Sequence, residues 1–541
     1  MDMQSVVSGI LFMSSKLRIV IIKPSKYAVD GYVERFRWGF MPNSTIPHIR
    51  SLTPESIDGT VLDIHTIDEY VHMDLEYINL LKRSDGTNTL VALVGVQSHQ
   101  FHRALDLAAF ARQFGCHVVI GGPHPMTCDT SACRIDGVSF ALAEGELIWE
   151  SILRDAIAGC LMPTYGRDGR WQHELSSPVI TPPARKDLKR YVVPMLGLYP
   201  ARGCPFSCTF CSVIKIAGRR IRSQSIGTTI DSLKAASAAG VRVVMFTSDN
   251  FNKYPDAEEL LTAIIAERLG MRFMVQCDTQ VGRQEGLIEL MARAGCDHMF
   301  LGVESFNLAT LRSVHKNQNR PEVYKGIVDL CRTYGIDAHF SNIIGFPEDT
   351  SSGIREHLKT LISFGPTWAS FYILCPIPGT EQYHEFQQQG LIRESNLDRF
   401  DATTLTWEHP NLSRKQLEDM LFQCYARFYS ARHAVDTVRL TRSERHSTID
   451  SAVGVAAGTL FHRLCAWQRT HPMSGGIKRT RIDSANDYAS LRRASYGFDH
   501  APLPANLTLP EIDQEFSRHG NLANSLPSLI ELSEVKPLSR R

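Results

Sequence analysis

The sequence predicts two consecutive parallel α/β domains followed by a mostly helical region. Three observations carry this. Short Val- and Ile-rich runs alternate with amphipathic stretches over the first 160 residues. A segment dense in proline and glycine then breaks the pattern, and six more strand–helix units follow in series.

In the first domain, strands are expected at 17–23, 61–67, 90–96, 117–121 and 138–143. Helices are expected at 75–83, 103–114 and 147–158. Continuous apolar strands between amphipathic helices describe a parallel sheet covered on both faces, a Rossmann-like arrangement over 1–160. Such sheets bind ligands at the carboxyl ends of their strands. Residues 161–191 read as a linker, because Pro163, Gly166, Gly169, Pro178, Pro182 and Pro183 crowd it.

Over 192–390 the strands are expected at 196–201, 241–247, 272–277, 298–303, 338–344 and 369–374. The helices between them fall at 228–239, 256–269, 284–294, 321–334 and 352–364. Six βα units make a partial (β/α)6 barrel of the TIM type, whose chemistry belongs in the loops after the strands. Residues 391–473 form a helical region, with a helix at 413–434 that sets Leu417, Met420, Leu421, Cys424 and Phe428 on one side. Residues 474–541 read as a polar, partly disordered tail.

Composition narrows the class. The 541 residues are 43% hydrophobic and 21% charged, with 58 basic against 57 acidic side chains, so no overall field argues for nucleic acid. No run of 18 apolar residues predicts a membrane span. The short apolar run 6–13 lacks a basic leader and reads as an N-terminal extension, not a signal peptide. Thirteen cysteines without an export signal are expected as cytoplasmic thiols or metal ligands. Ten of them, such as Cys116, Cys160, Cys296 and Cys424, are scattered and suit buried packing.

Only Cys204, Cys208 and Cys211 are spaced as a set, in Gly203-Cys204-Pro205-Phe206-Ser207-Cys208-Thr209-Phe210-Cys211. Three thiolates on one tight loop suit three irons of a 4Fe–4S cluster and leave the fourth open to a small molecule. Zinc would ask for a fourth ligand nearby, and no Cys or His follows within twenty residues.

This C-x3-C-x2-C string, with the aromatic Phe210 before its third cysteine, resembles the signature of the radical S-adenosylmethionine (SAM) superfamily. The resemblance implies that the open iron chelates SAM. One electron then cleaves SAM reductively to methionine and a 5′-deoxyadenosyl radical. It also implies SAM contacts on later strands. Asp249 or Asn250 stands where the family receives the SAM amino group, although the family's glycines are absent there. Glu304, in Gly302-Val303-Glu304-Ser305, is a polar contact to ribose or methionine, with a salt bridge to Arg312 as its structural alternative. Ile344 and Gly345 offer backbone contacts beside the adenine. The loop Pro376-Ile377-Pro378-Gly379-Thr380 is also familiar from that superfamily.

The first domain resembles that of the cobalamin-binding subgroup. The resemblance rests on Gly121-Gly122-Pro123-His124-Pro125-Met126-Thr127 and on Glu144-Gly145-Glu146. Gly121, Gly122, His124, Thr127, Glu144 and Gly145 are accordingly expected at cobalamin, the glycines letting it approach the backbone. Gln97, Ser98 and His99 sit at a third strand end and could face the corrin. The nearest string to a cobalt-ligating D-x-H-x-x-G is Asp63-Ile64-His65, which lacks the glycine and lies inside a strand, so the lower axial ligand is unassigned. A Rossmann-like module that has lost its cofactor is the structural alternative. The string from Lys23 to Val33 reads either as active-site roof or as a solvated loop.

Together these resemblances imply a cobalamin-dependent enzyme that methylates an unactivated carbon of a small molecule. It would draw electrons from a flavodoxin or ferredoxin. A radical oxidoreductase or cyclase that uses cobalamin without methyl transfer is the alternative enzyme. A non-catalytic SAM or cobalamin sensor is the alternative of another class. The substrate is not legible: Trp407, Tyr425 and Phe428 in the helical region read as core more readily than as pocket.

Overall fold

The computed structural model describes residues 16–72, 76–82, 87–166, 175–440 and 448–508. The first sheet is built on β1 (Lys16–Lys23), flanked by β2 (Thr60–Asp68) and β3 (Asn88–Leu93). It continues through β4 (His117–Gly121) and β5 (Val138–Ala141), all parallel. Antiparallel Ser56–Ile57 borders β2, and Thr164–Tyr165 borders β5. The sheet therefore reaches into the proline-rich stretch before the chain leaves it.

Alternation decides which core each β1 side chain joins. Val20 and Ile22 pack beneath helix α1 (Phe101–Arg112), while Leu17, Ile19 and Ile21 pack beneath helix α2 (Gly145–Ala158). Ile19, Val20, Ile21 and Ile22 are fully buried. Each contributes roughly 1.5–3 kcal/mol relative to exposure.

The second sheet runs in chain order: β6 (Met195–Leu198), β7 (Val243–Phe246), β8 (Arg272–Cys277), β9 (Cys296–Glu304), β10 (Asp337–Ile344) and β11 (Trp368–Ile373). All neighbours are parallel, and β6 and β11 are edges, so the barrel is open. Helices cover its outer face. On β9, outward Met299, Leu301 and Val303 are fully buried, whereas inward His298, Phe300 and Gly302 are only half-buried.

The open edge is closed by side chains. Helix α3 (Arg414–Phe428) lies along β11, where the Tyr425 hydroxyl accepts from the Phe371 amide at 3.0 Å. The Tyr429 hydroxyl likewise accepts from the Ala369 amide at 3.0 Å and donates to the Ala369 carbonyl at 2.8 Å. Phenol oxygens thus satisfy edge groups that would otherwise be buried without partners. Trp407, Tyr425 and Phe428 are core residues, as expected.

Several elements depart from the sequence reading. The strand expected at 196–201 ends at Leu198, just before Pro200, which has no N–H to donate. Ala201–Arg202 instead pairs antiparallel with Arg222–Ser223. The helix expected at 413–434 breaks at Tyr429, and a second helix spans Ala431–Leu440. Residues 474–508, expected in a polar tail, are built into the first domain. Strand Gly476–Thr480 pairs with Arg35–Gly39, and helix α4 (Ala485–Tyr496) packs on α1. Arg492 and Asp106 form a buried ion pair there, which a reading of surface polarity misses. Residues 509–541 lie outside the described residues. The string from Lys23 to Val33 is not a solvated loop: Lys26 is buried between Asp401, at 2.5 Å, and Glu34, at 3.5 Å.

Candidate active site

The cysteine loop hangs from β6 and is pinched at its base by the pairs Ala201 with Ser223 and Arg202 with Arg222. Gly203 begins it with φ of +105°, and a Cβ there would stand 2.2 Å from the Arg220 carbonyl oxygen, so this position requires glycine. The Gly203 amide donates to Asp249 Oδ2 at 2.7 Å, and the Cys204 amide donates to the Gly218 carbonyl at 3.1 Å. The loop shape is thus set by backbone bonds that leave the three thiols uncommitted to one another.

Those thiols share one neighbourhood. Burial pushes the Cys204 thiol up to about 12, and the neighbouring Cys208 adds to that shift. Burial also raises Cys208 and Cys211, the latter further burdened by the other two sulfurs. Asn250 Nδ2 lies 3.8 Å from Cys204 Sγ and Gln318 Nε2 lies 3.7 Å from Cys208 Sγ, both donors that favour thiolate. Among the described residues no three His, Cys, Asp or Glu side chains already stand together as a metal-binding group. The donor set nevertheless fits an iron–sulfur cluster, with three soft ligands on one loop, amide donors beside two sulfurs, and no competing imidazole in the string.

Glu304 ends β9 with φ of +61°, next to a register shift between Gly302 and Glu304. Its partner is not Arg312 but Lys316, whose Nζ lies 2.7 Å from Oε1. Burial opposes the lysine's charge, yet the Glu304 carboxylate holds Lys316 above its usual range. Ser341 Oγ donates to Glu304 Oε2 at 3.2 Å, and Lys316 Nζ sits 5.7 Å over the Phe210 ring. A Cβ on Gly302 would meet Glu304 Oε1 at 2.8 Å and Lys316 Nζ at 2.9 Å, so the glycine makes room for the pair. Lys316 was not singled out by sequence reading; a lysine in the loop after a carboxylate-ending strand was the available signal.

The other expected SAM contacts are partly engaged within the chain. Asp249 is half-buried, and loss of solvent raises its carboxyl, while the Gly203 amide and Arg202 act against that. Asn250 Oδ1 accepts from the Asp278 amide at 2.7 Å. Ile344 is buried, its carbonyl accepting from the Leu374 amide at 2.9 Å. The Gly345 amide donates to Asp349 Oδ2 at 2.8 Å.

Between the two sheets lies a cavity of about 260 Å³, bounded by the carboxyl ends of both. Gly121, Gly122, Glu144 and Gly145 contribute from one side, and Tyr199, Arg202, Thr247 and Asp249 from the other. The glycines are needed for chain packing as well. A Cβ on Gly122 would strike the Val96 amide nitrogen at 2.1 Å, and one on Gly145 would meet Ile49 at 2.9 Å. His124 does not line the cavity: it is buried, bonded to Ser98 Oγ at 3.0 Å and tilted against Phe101. Burial lowers it to about 3, so it is neutral. Thr127 donates to the Pro123 carbonyl at 2.8 Å and packs against Gly379 of the barrel. His65 stands on β2, 3.1 Å from Asp63, and is absent from this cavity's lining.

The acidic motif of the first domain grips the base of the cysteine loop. Glu144 accepts both ends of the Arg222 guanidinium, at 2.7 and 2.8 Å, and Arg202 lies 3.3 Å away. Glu146 pairs with Arg202 and with His48, each at 2.8 Å. Arg202 and Arg222 were not singled out in the sequence, because neither belongs to a local motif. Only the fold brings them to the acidic pair.

Comparison with known proteins agrees with this arrangement. Residues 198–361 match the radical SAM superfamily. The chain is 26% identical over 316 residues to a bacteriochlorophyllide d C-12(1)-methyltransferase of Chlorobaculum tepidum, covering 57% of this chain and 67% of that one. It is 26% identical over 440 residues to an uncharacterized methyltransferase of Pyrococcus horikoshii, covering 76% and 92%. Its fold is similar to that of the radical SAM methyltransferase TsrM from Kitasatospora setae, solved with cobalamin and a 4Fe–4S cluster, at TM-score 0.55 and 15% identity over 95% of this chain and 100% of that one. Residues 198–361, which carry the C-x3-C-x2-C loop on the first strand of an open barrel, thus match the radical SAM superfamily, and the chain shares the fold of the cobalamin-bound radical SAM methyltransferase TsrM.

Proposed function

We propose that the chain is a cobalamin-dependent radical SAM C-methyltransferase acting on a small molecule. The observation that carries this is the opposition of the two sets of strand ends across one cavity. Tyr199, Arg202, Thr247 and Asp249, around the base of the cysteine loop, lie on one side, and the Gly121-Gly122 and Glu144-Gly145 turns lie on the other. Cys204, Cys208 and Cys211 would hold the 4Fe–4S cluster. Phe210, Asp249, Asn250, Glu304, Ile344 and Gly345 would surround SAM. Gly121, Gly122, Glu144 and Gly145 would stand against cobalamin, with His124 and Thr127 supporting that turn from behind. Bound there, the cluster would supply the electron that breaks the SAM sulfur–carbon bond, and cobalamin the methyl group.

The protein's own groups orient and insulate. Asp249 fixes the amide that starts the cysteine loop, so its geometry and that of SAM are set by one carboxylate. Glu304 and Lys316 form a buried, mutually compensated pair, able to turn polar atoms toward a sugar or an amino acid without leaving a net charge. The two domains share a core in which Cys375, Tyr383 and Phe400 of the later chain pack with Val20, Leu93 and Phe101, which excludes water from between them. The electron donor we assign is a flavodoxin or ferredoxin.

The test is anaerobic reconstitution with iron, sulfide, cobalamin and a reductant. The protein should form 5′-deoxyadenosine from SAM, and with substrate it should also form S-adenosylhomocysteine in a cobalamin-dependent way. Replacing any one of the three cysteines by alanine should lower bound iron and 5′-deoxyadenosine at least a hundredfold. Wild-type protein that forms no 5′-deoxyadenosine would refute the reading.

A further inference from the structure

A second cavity, of about 350 Å³, opens at the amino-terminal mouth of the barrel, at the other end of the strands from the cysteine loop. Met274, Phe300 and Trp368 line it from the strands, and Gly454 and Phe461 from helix α5 (Thr448–Gln468). Its size falls within the range of small-ligand sites. Nothing in the cysteine and SAM chemistry uses it.

The barrel interior leads toward it. A closed barrel of this type is normally filled by layers of bulky side chains. Here the inward positions include the small residues Gly197, Gly302, Ser341 and Ser370, with Ser44 lying over Gly197 and the Glu304–Lys316 pair over Gly302. Inward Met245, Gln276 and Tyr372 are half-buried, although their outward neighbours Val244, Val275 and Phe371 are fully buried. From His298 at the mouth to Glu304 beside Lys316 the strand rises about 20 Å. The separation between the mouth and the Glu304–Lys316 pair is therefore that of an extended molecule.

Chemistry restricts what enters. Of the mouth's charged groups, Arg272 pairs with Asp297 at 3.1 Å, and Asp337 accepts a hydrogen bond from the Trp368 indole at 3.0 Å. His298 Nε2 is bonded to His339 Nδ1 at 3.0 Å, and His339 Nε2 to Ser370 Oγ at 2.7 Å. Burial lowers both imidazoles, which leaves them uncharged. His298 Nδ1 makes no hydrogen bond among the described residues and is a polar handle in a mostly apolar wall that also carries Arg272, Asp297, Asp337, His339 and His462.

We propose that this cavity takes the uncharged, apolar end of the substrate, remote from the carbon that is methylated, with one hydroxyl or carbonyl bonded to His298. The proposal rests on the methyltransferase reading above. The substrate class is thus an elongated, mostly apolar molecule with a single neutral polar group at its far end.

Gly454 offers the test. A Cβ there meets nothing within 4 Å, and the residue is helical and lines the cavity, so Gly454→Phe sets a ring at the cavity mouth without a Cβ clash. The probe is 1-aminoanthracene, an uncharged tricyclic amine, titrated by fluorescence into reconstituted enzyme. Saturable binding in wild type, weakened at least tenfold by Gly454→Phe and severalfold by His298→Leu, is expected. SAM cleavage without substrate should be unchanged in Gly454→Phe. Methyl label passed from SAM to an extract of apolar metabolites should be lost in that variant. Absent probe binding, or binding indifferent to Gly454→Phe, overturns the proposal. Label retained while the probe is lost overturns it too, since the cavity would then serve a separate ligand. Failure of SAM cleavage in wild type strikes the methyltransferase reading instead and leaves the probe result to decide the cavity.

Discussion

At the residue scale, the side chains that organise the site do so mostly by holding other groups. Arg222 is buried against Glu144 with both guanidinium ends engaged, so removing one partner strands a charge. Arg222→Met should lower unfolding stability by about 3–5 kcal/mol and reduce iron retention. Adding Glu144→Gln to it should restore part of the loss, as a denaturant-unfolding double-mutant cycle would show. Asp349 gives a pH signature. Burial raises its carboxyl from 3.8 to about 6, against the Phe346 and Gly345 amides that favour the charged form. The folded chain therefore binds more protons than the unfolded one between those values, and stability falls as pH rises from about 4 to 6. Asp349→Asn keeps an oxygen acceptor for both amides and should remove that fall, roughly 2–3 kcal/mol across the window. Urea titrations of both proteins over this range check it.

At the element scale, the open edge of the barrel depends on two phenols rather than on a seventh strand. Tyr425→Phe leaves the buried Phe371 amide without its oxygen partner, and its cost should be about 1–3 kcal/mol. Hydrogen exchange at Phe371 should accelerate more than exchange at the centre of β9. Most of these elements were legible, because strands buried on both faces read as unbroken apolar runs. His117–Gly121 lies where expected, β1 begins one residue earlier than expected, and β2 runs one residue further at each end. The pinch formed by Ala201–Arg202 and Arg222–Ser223 was not legible. Two-residue strands carry no periodicity, and their partners are 20 and 22 positions apart in the chain.

At the scale of the whole molecule, the two domains are stitched by the chain's end. Strand Gly476–Thr480 and helix α4 return to the first domain, and His102 Nε2 accepts from the Ala501 amide at 2.8 Å. Truncation after residue 473 exposes Asp106 and the edge strand Arg35–Gly39. It should lower the melting temperature by several degrees and make the first domain sensitive to limited proteolysis. No described helix is long and apolar enough to cross a membrane.

The sequence by itself determined the resemblance to the radical SAM superfamily, the alternation of strands and helices, and the three cysteines. Each of these is written in local spacing: an i, i+4, i+7 set of thiols, or apolar runs of strand and helix period. Only the tertiary structure decided what the flanking motifs touch. Glu144 turned out to meet Arg222, Glu304 to meet Lys316, and Gly122 to make room for the Val96 backbone. A buried charge must find its partner wherever the fold brings one, and that distance in space leaves no trace in the order of residues.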